Sequence, residues 1–343
     1  MTTSAPSAAG ALRILSGPEV AELLRDQEQT ILGLVQSAYE THFLGDSALP
    51  HSLFLRFPDQ PRDRIIALPA FLGGAVQRAG IKWIASFPGN HALGMDRASA
   101  TMLLNDAATG QAQALLEASL ISMKRTAASA ALAARHLHQH TPAGVGLVGC
   151  GPINFETLRF LRTVFPDLAR VLVYDTLPER AQAFRTESMR LHAGLDVALA
   201  ANMDELYSSD WVLAFATTAL EPYVTALPDH LRHVTILNVS LRDFTGDVLC
   251  HTDNIVDDID HVLRANTSAH LAELQLGHRD FIRATLAEVT LGRAPARAAE
   301  VVMFSPFGLG ILDLAVADLA LARAIEQGRG TVIPGFLPPV GLK

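Results

Sequence analysis

The residues best suited to amine and carboxylate chemistry are a lysine inside an apolar strand and an arginine on an alanine-rich helix. Lys82 stands in Ile81-Lys82-Trp83-Ile84. Strand alternation turns it away from Ile81 and Trp83, onto the face shared with Ile84. A lysine so flanked is either an edge residue reaching water or a desolvated amine with a lowered pKa, usable as a base. Only Lys82, Lys124 and Lys343 are lysines among the 27 basic residues, which makes each worth locating. Arg125 lies in a stretch otherwise rich in Ala, Ser and Thr. There a guanidinium either grips a carboxylate bidentately or forms a surface ion pair. Arg56, Arg97 and Arg242 leave the same choice open individually. Together the arginines suit a substrate carrying several carboxylates.

A second constellation is Gly149-Cys150-Gly151-Pro152-Ile153-Asn154, between an expected strand and an expected helix. The first glycine permits a tight turn, and the second lets backbone approach a pyrophosphate at the helix N-terminus. Asn154 holds the third position in place of Gly or Ala. Asp175 ends the next expected strand, where a carboxylate accepts ribose hydroxyls and repels a 2′-phosphate. The expected cofactor is therefore NAD, with Arg180 assigned to the opening of a helix.

Other groups carry less. His136, His138 and His140 crowd a helix end, where imidazolium faces the negative end of the dipole; helical spacing puts His136 and His140 on one face, and no metal is expected. Asp257-Asp258-Ile259-Asp260-His261 has the look of a magnesium site but suits a helix cap. Ser305-Pro306-Phe307-Gly308 is expected as a turn before a last long helix, on which Asp313 sits.

The elements that must position these groups fall into two kinds. From Val145 onward, short apolar runs alternate with helical patterns. Strands are expected at 144–149, 171–175, 197–200, 211–216, 234–239 and 255–256, with helices at 157–164 and 178–192. That alternation predicts an α/β fold, a Rossmann-type doubly wound parallel sheet. In the N-terminal third, 64–71, 81–85, 102–105 and 112–116 read as antiparallel strands. Residues 116–138 read as one helical stretch, and 309–327 as another.

Length and composition bound the function. The 343 residues suffice for about two domains. A net charge of −8 argues against a nucleic-acid binder, and 49% hydrophobic residues argue against disorder. Two isolated cysteines fit a reduced, cytoplasmic protein. No apolar run reaches the ~20 residues of a membrane helix. Residues 1–10, rich in Ala, Ser and Thr, lack the pattern of a signal peptide and read as a disordered leader.

In order along the chain come IKWI, SFPGN, KRTAASA, LVGCG and FSPFGLGILD. The arrangement, from about Ala48 to Leu321, resembles the ornithine cyclodeaminase/mu-crystallin family. IKWIASFPGN, DRASA, GCGPINFETL, VSLRD and SPFG resemble most closely the branch that makes 2,3-diaminopropionate for siderophores and peptide antibiotics. The resemblance implies a homodimer. It also implies a discontinuous α+β domain for substrate binding and dimerisation, 11–130 with 320–343, an NAD-binding domain, 131–319, and an active site between them. It makes Lys82 the catalytic lysine and Arg125 the arginine for the substrate α-carboxylate, with Arg56 and Arg97 as further carboxylate binders. Gly149, Gly151, Pro152, Ile153, Asn154 and Asp175 fall on the cofactor motif, and Thr217, Thr218 and Ser240 on the nicotinamide side.

Two departures from ornithine cyclodeaminases stand out. Their catalytic aspartate lies in a segment near GGDxPGK, whereas Ser240–Gly246 here places Asp243 one position off. His51 replaces an arginine. Both departures fit the diaminopropionate branch, whose substrate has three carboxylates. The implied reaction is NAD-dependent oxidative hydrolysis of N-(2-amino-2-carboxyethyl)-L-glutamate, with Asp243 assisting proton transfer or fixing an arginine. Ornithine cyclodeamination, alanine dehydrogenation, imine reduction and a non-catalytic, mu-crystallin-like binding role are the alternatives.

Overall fold

The structure, a computed structural model, describes residues 10–338. Of the expected leader, residues 1–9 lie outside the described residues. Gly10 is described, with its carbonyl accepting from Leu337 N at 3.0 Å. The described chain divides into two compact units, residues 10–27, 41–125 and 309–338 in one and 28–40 with 126–308 in the other.

The first unit begins with β1 (Leu12–Leu15) and α1 (Gly17–Leu23); α2 (Glu28–Phe43), whose residues 28–40 belong to the second unit, follows along the chain. Next come β2 (Ser47–Ala48), β3 (Leu53–Phe57), β4 (Gln60–Leu72), β5 (Arg78–Ser86), β6 (Ala98–Asp106) and β7 (Ala112–Glu117). Strands β3 to β7 form an antiparallel meander. Helix α3 (Ser119–His138) begins three residues after the expected 116, because Leu116 still pairs with Met102 in the sheet.

The second unit is a parallel sheet in the order β10-β9-β8-β11-β12-β15-β13-β14. Its strands are β8 (Gly144–Val148), β9 (Arg170–Tyr174), β10 (Asp196–Leu199), β11 (Trp211–Phe215), β12 (Val234–Asn238), β13 (Asp253–Val256), β14 (Ile282–Thr285) and β15 (Val301–Ser305). Helices α4 (Pro152–Val164), α5 (Pro178–Leu191), α6 (Gly246–Cys250), α7 (Ile259–Val262), α8 (Ser268–Leu276) and α9 (Leu286–Thr290) connect them. Strands β8, β11 and β12 are buried along their whole length. That is why they read as unbroken apolar runs, as strands covered on both faces must. Trp211, Leu213, Phe215, Ile236, Phe244 and Met303 belong to the core here. The doubly wound α/β sheet expected from the alternation is present, and it gains β14 and β15, which were not foreseen.

Helix α10 (Gly310–Glu326) and β16 (Thr331–Ile333) return to the first unit, where β16 pairs with β1. Helix α10 packs on β4, β5 and β6. The unit therefore regains the chain at Leu309 rather than 320, since α10 lies on that sheet from its first turn. A Cβ at Gly310 would stand 3.3 Å from Leu68 O, and one at Gly80 would stand 2.3 Å from Leu103 O. The absence of side chains at both positions allows these close approaches. No helix among the described residues is long and apolar enough to cross a membrane.

Candidate functional site

Strand pairing decides what shares a face with Lys82. Lys82 stands opposite Leu68 and Met102, while Trp83 stands opposite Ala67 and Thr101. The Trp83 face carries the exposed Leu53, Leu55 and Trp83. Lys82 is on the other face and only 1% exposed. The edge-residue alternative left open by the sequence is therefore excluded by burial.

Three elements of the first unit meet at the lysine. Lys82 Nζ donates to Asp313 Oδ2 at 2.7 Å and to Ser122 Oγ at 3.1 Å. Arg125 Nε donates to Asp313 Oδ1 at 3.1 Å, and its Nη2 to Ser122 Oγ at 3.3 Å. Ser122 and Arg125 are three residues apart on α3 and so share a face. Asp313 lies in the first turn of α10, where the helix dipole favours a carboxylate. It is wholly buried between its two cations. Burial lowers the Lys82 pKa from 10.5 to about 8; Asp313 opposes this fall and Arg125 reinforces it. A neutral amine has two N–H groups and one lone pair. Asp313 and Ser122 take the two donors, which leaves the lone pair as the reactive group.

Arg56 stands opposite Arg64, and Arg64 opposite Ser86. Counting by twos from Lys82 places all three on the lysine's face. Arg97 Nη1 donates to Ser86 Oγ at 2.7 Å. The Arg56 guanidinium lies 5.6 Å from the Phe54 ring centroid, on the same face. Three guanidiniums thus gather at the end of β5 four residues beyond Lys82, about 13 Å along the strand. Arg64 was not singled out in the sequence, although its place opposite Ser86 follows once the register is known.

In the second unit, Gly149 has φ +89°, and a Cβ there would lie 2.6 Å from Ala216 O. Gly151 is the N-cap of α4, without a side-chain cap, followed by Pro152 at the first helical position. Among the described residues apart from its chain neighbours, the one atom within 4 Å of where a Cβ on Gly151 would stand is Arg180 Nη2, at 3.8 Å. A bare helix N-terminus at the β8/β11 switch point fits a dinucleotide pyrophosphate. Ile153 lies in the same first turn. Asp175 Oδ2 accepts from Cys150 N at 2.7 Å, which fixes the carboxylate beside this loop. Arg180 also lies beside the loop, so its place is more than the opening of a helix. Burial, with Asp175, pushes the Cys150 thiol up to about 12, so it offers no thiolate.

Asn154 corrects an expectation. Its side chain is wholly buried, and Nδ2 lies 2.9 Å from Val148 O, 2.8 Å from Gly149 O and 3.3 Å from Ala214 O. The amide ties the helix to the strand ends, in the place where a third glycine would allow close packing. Its side chain presents no exposed surface to a ligand.

Asp243 is also wholly buried, and it accepts from Thr217 Oγ1 at 2.6 Å and Tyr223 Oη at 3.0 Å. Ser240 Oγ is a further partner. The described arrangement is a carboxylate holding the loops after β11 and β12, with no arginine in it. Arg242, for its part, donates to Asn266 O and Ala265 O. Thr218 is exposed on the loop after β11. The acidic run is structural: Asp257 accepts from Phe307 N and Gly308 N, and Asp258 caps α7.

Comparison with known proteins finds relatives along most of the chain. N-((2S)-2-amino-2-carboxyethyl)-L-glutamate dehydrogenase of Staphylococcus aureus is 29% identical over 317 residues, 90% of this chain and 94% of that protein. Delta(1)-pyrroline-2-carboxylate reductase of Thermococcus litoralis, solved with NADH and L-proline, superposes with TM-score 0.84 at 25% identity, covering 93% of this chain and 99% of that one. An archaeal alanine dehydrogenase dimer with bound NAD gives TM-score 0.83 at 26% identity over 94% and 99%. Residues 14–328 match the ornithine cyclodeaminase/mu-crystallin family, and the chain belongs to that family.

Proposed function

We propose that the protein is an NAD-dependent dehydrogenase of amino-acid CH–NH bonds. Its substrate is N-(2-amino-2-carboxyethyl)-L-glutamate, and its products are L-2,3-diaminopropionate and 2-oxoglutarate. The observation that carries this reading is the buried Lys82–Asp313–Arg125 cluster on a sheet face that also bears Arg56, Arg64 and Arg97. Alanine carries a single carboxylate, whereas a tricarboxylate offers further carboxylates to the guanidiniums of Arg56 and Arg97. The S. aureus relative supports the choice of substrate.

NAD would supply the hydride acceptor; Gly149, Gly151, Pro152, Ile153 and Asp175 would hold the dinucleotide, with Thr217, Thr218 and Ser240 on the nicotinamide side. Lys82, neutral, takes the proton of the secondary amine as the glutamate Cα–H bond is broken and the C=N bond forms. The resulting ammonium returns that proton to the imine nitrogen, and the regenerated neutral amine takes a proton from the water that adds to that carbon. Collapse of the carbinolamine breaks the C–N bond, and the departing nitrogen receives a proton. The sum is substrate, NAD and water giving both products, NADH and one proton. Arg125 orients the carboxylate beside the reacting carbon, and Arg56 and Arg97 bind the distal ones. Asp243 positions the loops after β11 and β12 through its hydroxyl partners.

The test is incubation with the synthetic substrate, following NADH absorbance and 2-oxoglutarate together. Turnover is expected with NAD, with NADP much poorer because Asp175 opposes a 2′-phosphate. The rate constant kcat/KM should rise about tenfold per pH unit below about 8 and level off above it, as the free enzyme's Lys82 loses its proton. Turnover of alanine or ornithine in place of this compound would sink the reading.

The working form in this proposal is a homodimer, supported by the exposed apolar face of Leu53, Leu55 and Trp83. Light scattering should give twice the 36.8 kDa chain mass. The double variant Leu55→Glu/Trp83→Glu should give the mass of a single chain.

A further inference from the structure

At the edge of the parallel sheet where the strands begin, two histidines and an aspartate meet. His138 ends α3, His140 lies in the connection to β8, and Asp210 immediately precedes β11. The cofactor loop, by contrast, follows the other end of β8. His140 Nε2 lies 2.6 Å from Asp210 Oδ1, and His138 Nε2 lies 3.5 Å from the same oxygen. One ligand atom from each of the three side chains falls within 4.8 Å of the others. Helical spacing had paired His136 with His140, but α3 stops at His138 and the chain turns at Gln139 with φ +71°. The turn brings His138 and His140 together instead, with ring centroids 4.7 Å apart.

The His138 ring is what distinguishes this cluster from a surface ion pair. Its side chain is 1% exposed, and its Nε2 is buried without a hydrogen-bond partner. The other nitrogen, Nδ1, lies 3.2 Å from Thr235 Oγ1, a wholly buried hydroxyl. A buried imidazole nitrogen without a partner is costly. Here the ring is held by its far side with that nitrogen aimed at a carboxylate and a second imidazole. Histidines at metal sites are oriented in this way, the second nitrogen being bonded to a fixed group. Tetrahedral zinc with bonds of about 2.0–2.1 Å sets its ligand atoms roughly 3.3 Å apart. The two measured edges bracket that value.

We propose that His138, His140 and Asp210 bind one zinc-class divalent transition-metal ion, with water at the fourth position on the solvent side, where His140 is half exposed. The expectation of no metal, drawn from the helix dipole, is thereby replaced. The ion would pin the α3–β8 connection to the start of β11, and its role is structural, since none of the three residues belongs to the proposed catalytic groups.

The experiment uses tag-free full-length protein, stripped with a chelator, dialysed and titrated with ZnCl₂ by calorimetry. One equivalent should bind, with Tm raised by about 5 °C at saturation. Cobalt(II) should give the intense visible absorption of a tetrahedral centre. His140→Gln and Asp210→Asn each replace a partly exposed ligand, and asparagine tolerates the φ of +63° at residue 210. Each should weaken zinc binding at least about tenfold and remove the cobalt spectrum, while turnover of the stripped protein stays at the wild-type level. Wild-type zinc affinity in either variant overturns the proposal, as does the absence of a saturable site tighter than about 0.1 mM in the parent protein.

Discussion

Lys82→Met is expected to lower kcat by about 10³-fold while leaving NAD affinity unchanged. Methionine keeps most of the length and all of the apolar contact of the lysine stem but carries no base. Asp313 keeps Arg125 as a partner, so the variant leaves no buried charge alone. The melting temperature should therefore stay within a few degrees of the parent. The folded amine has a pKa of about 8 against 10.5 in the unfolded chain, so the unfolded chain binds more protons between those values. In the parent this group makes stability rise with pH across that window, and in Lys82→Met the rise should vanish. Calorimetric NAD titration and thermal melts at two pH values read both effects. A kcat within tenfold of the parent would remove Lys82 from the chemistry. A collapse of Tm would assign it to the core instead.

The face on which Lys82 lies was legible in the sequence because strand alternation has a period of two, and burial then decided between the two readings of the amine. The parallel sheet was equally legible, since central strands such as 211–215 are apolar throughout. Asp313 was harder to find. In the sequence it is one acid interrupting an apolar helix, and nothing local says that its partners stand on β5 and α3, more than 180 residues earlier. Asn154 misled for the opposite reason. It occupies a motif position, yet its amide bonds to strand carbonyls that no motif describes. The histidines of α3 failed on a boundary: the helix ends at His138, and helical spacing was extended past it.

Asp313→Asn should be the most destabilising single change at this site, because it leaves two buried cations facing a neutral amide. Removing one partner from a buried ion pair costs about 3–5 kcal/mol, most of it the desolvation of the charges left behind. The amide keeps the shape, so the loss reflects charge rather than a cavity. Asp313 is the influence that holds the Lys82 pKa up against burial and Arg125. Without it the amine falls below 8, and the rising limb of kcat/KM should move to lower pH. The stability deficit should shrink as pH rises, since a neutral lysine no longer needs the carboxylate. Urea denaturation at pH 7 and pH 9 measures the deficit, and the pH–rate profile measures the shift. Adding Lys82→Met to Asp313→Asn removes one of the two unpaired cations. It should return part of the lost stability and none of the turnover. If the double variant is as unstable as Asp313→Asn alone, the cost lies in packing rather than charge, and Asp313 is not the counter-ion that tunes the lysine.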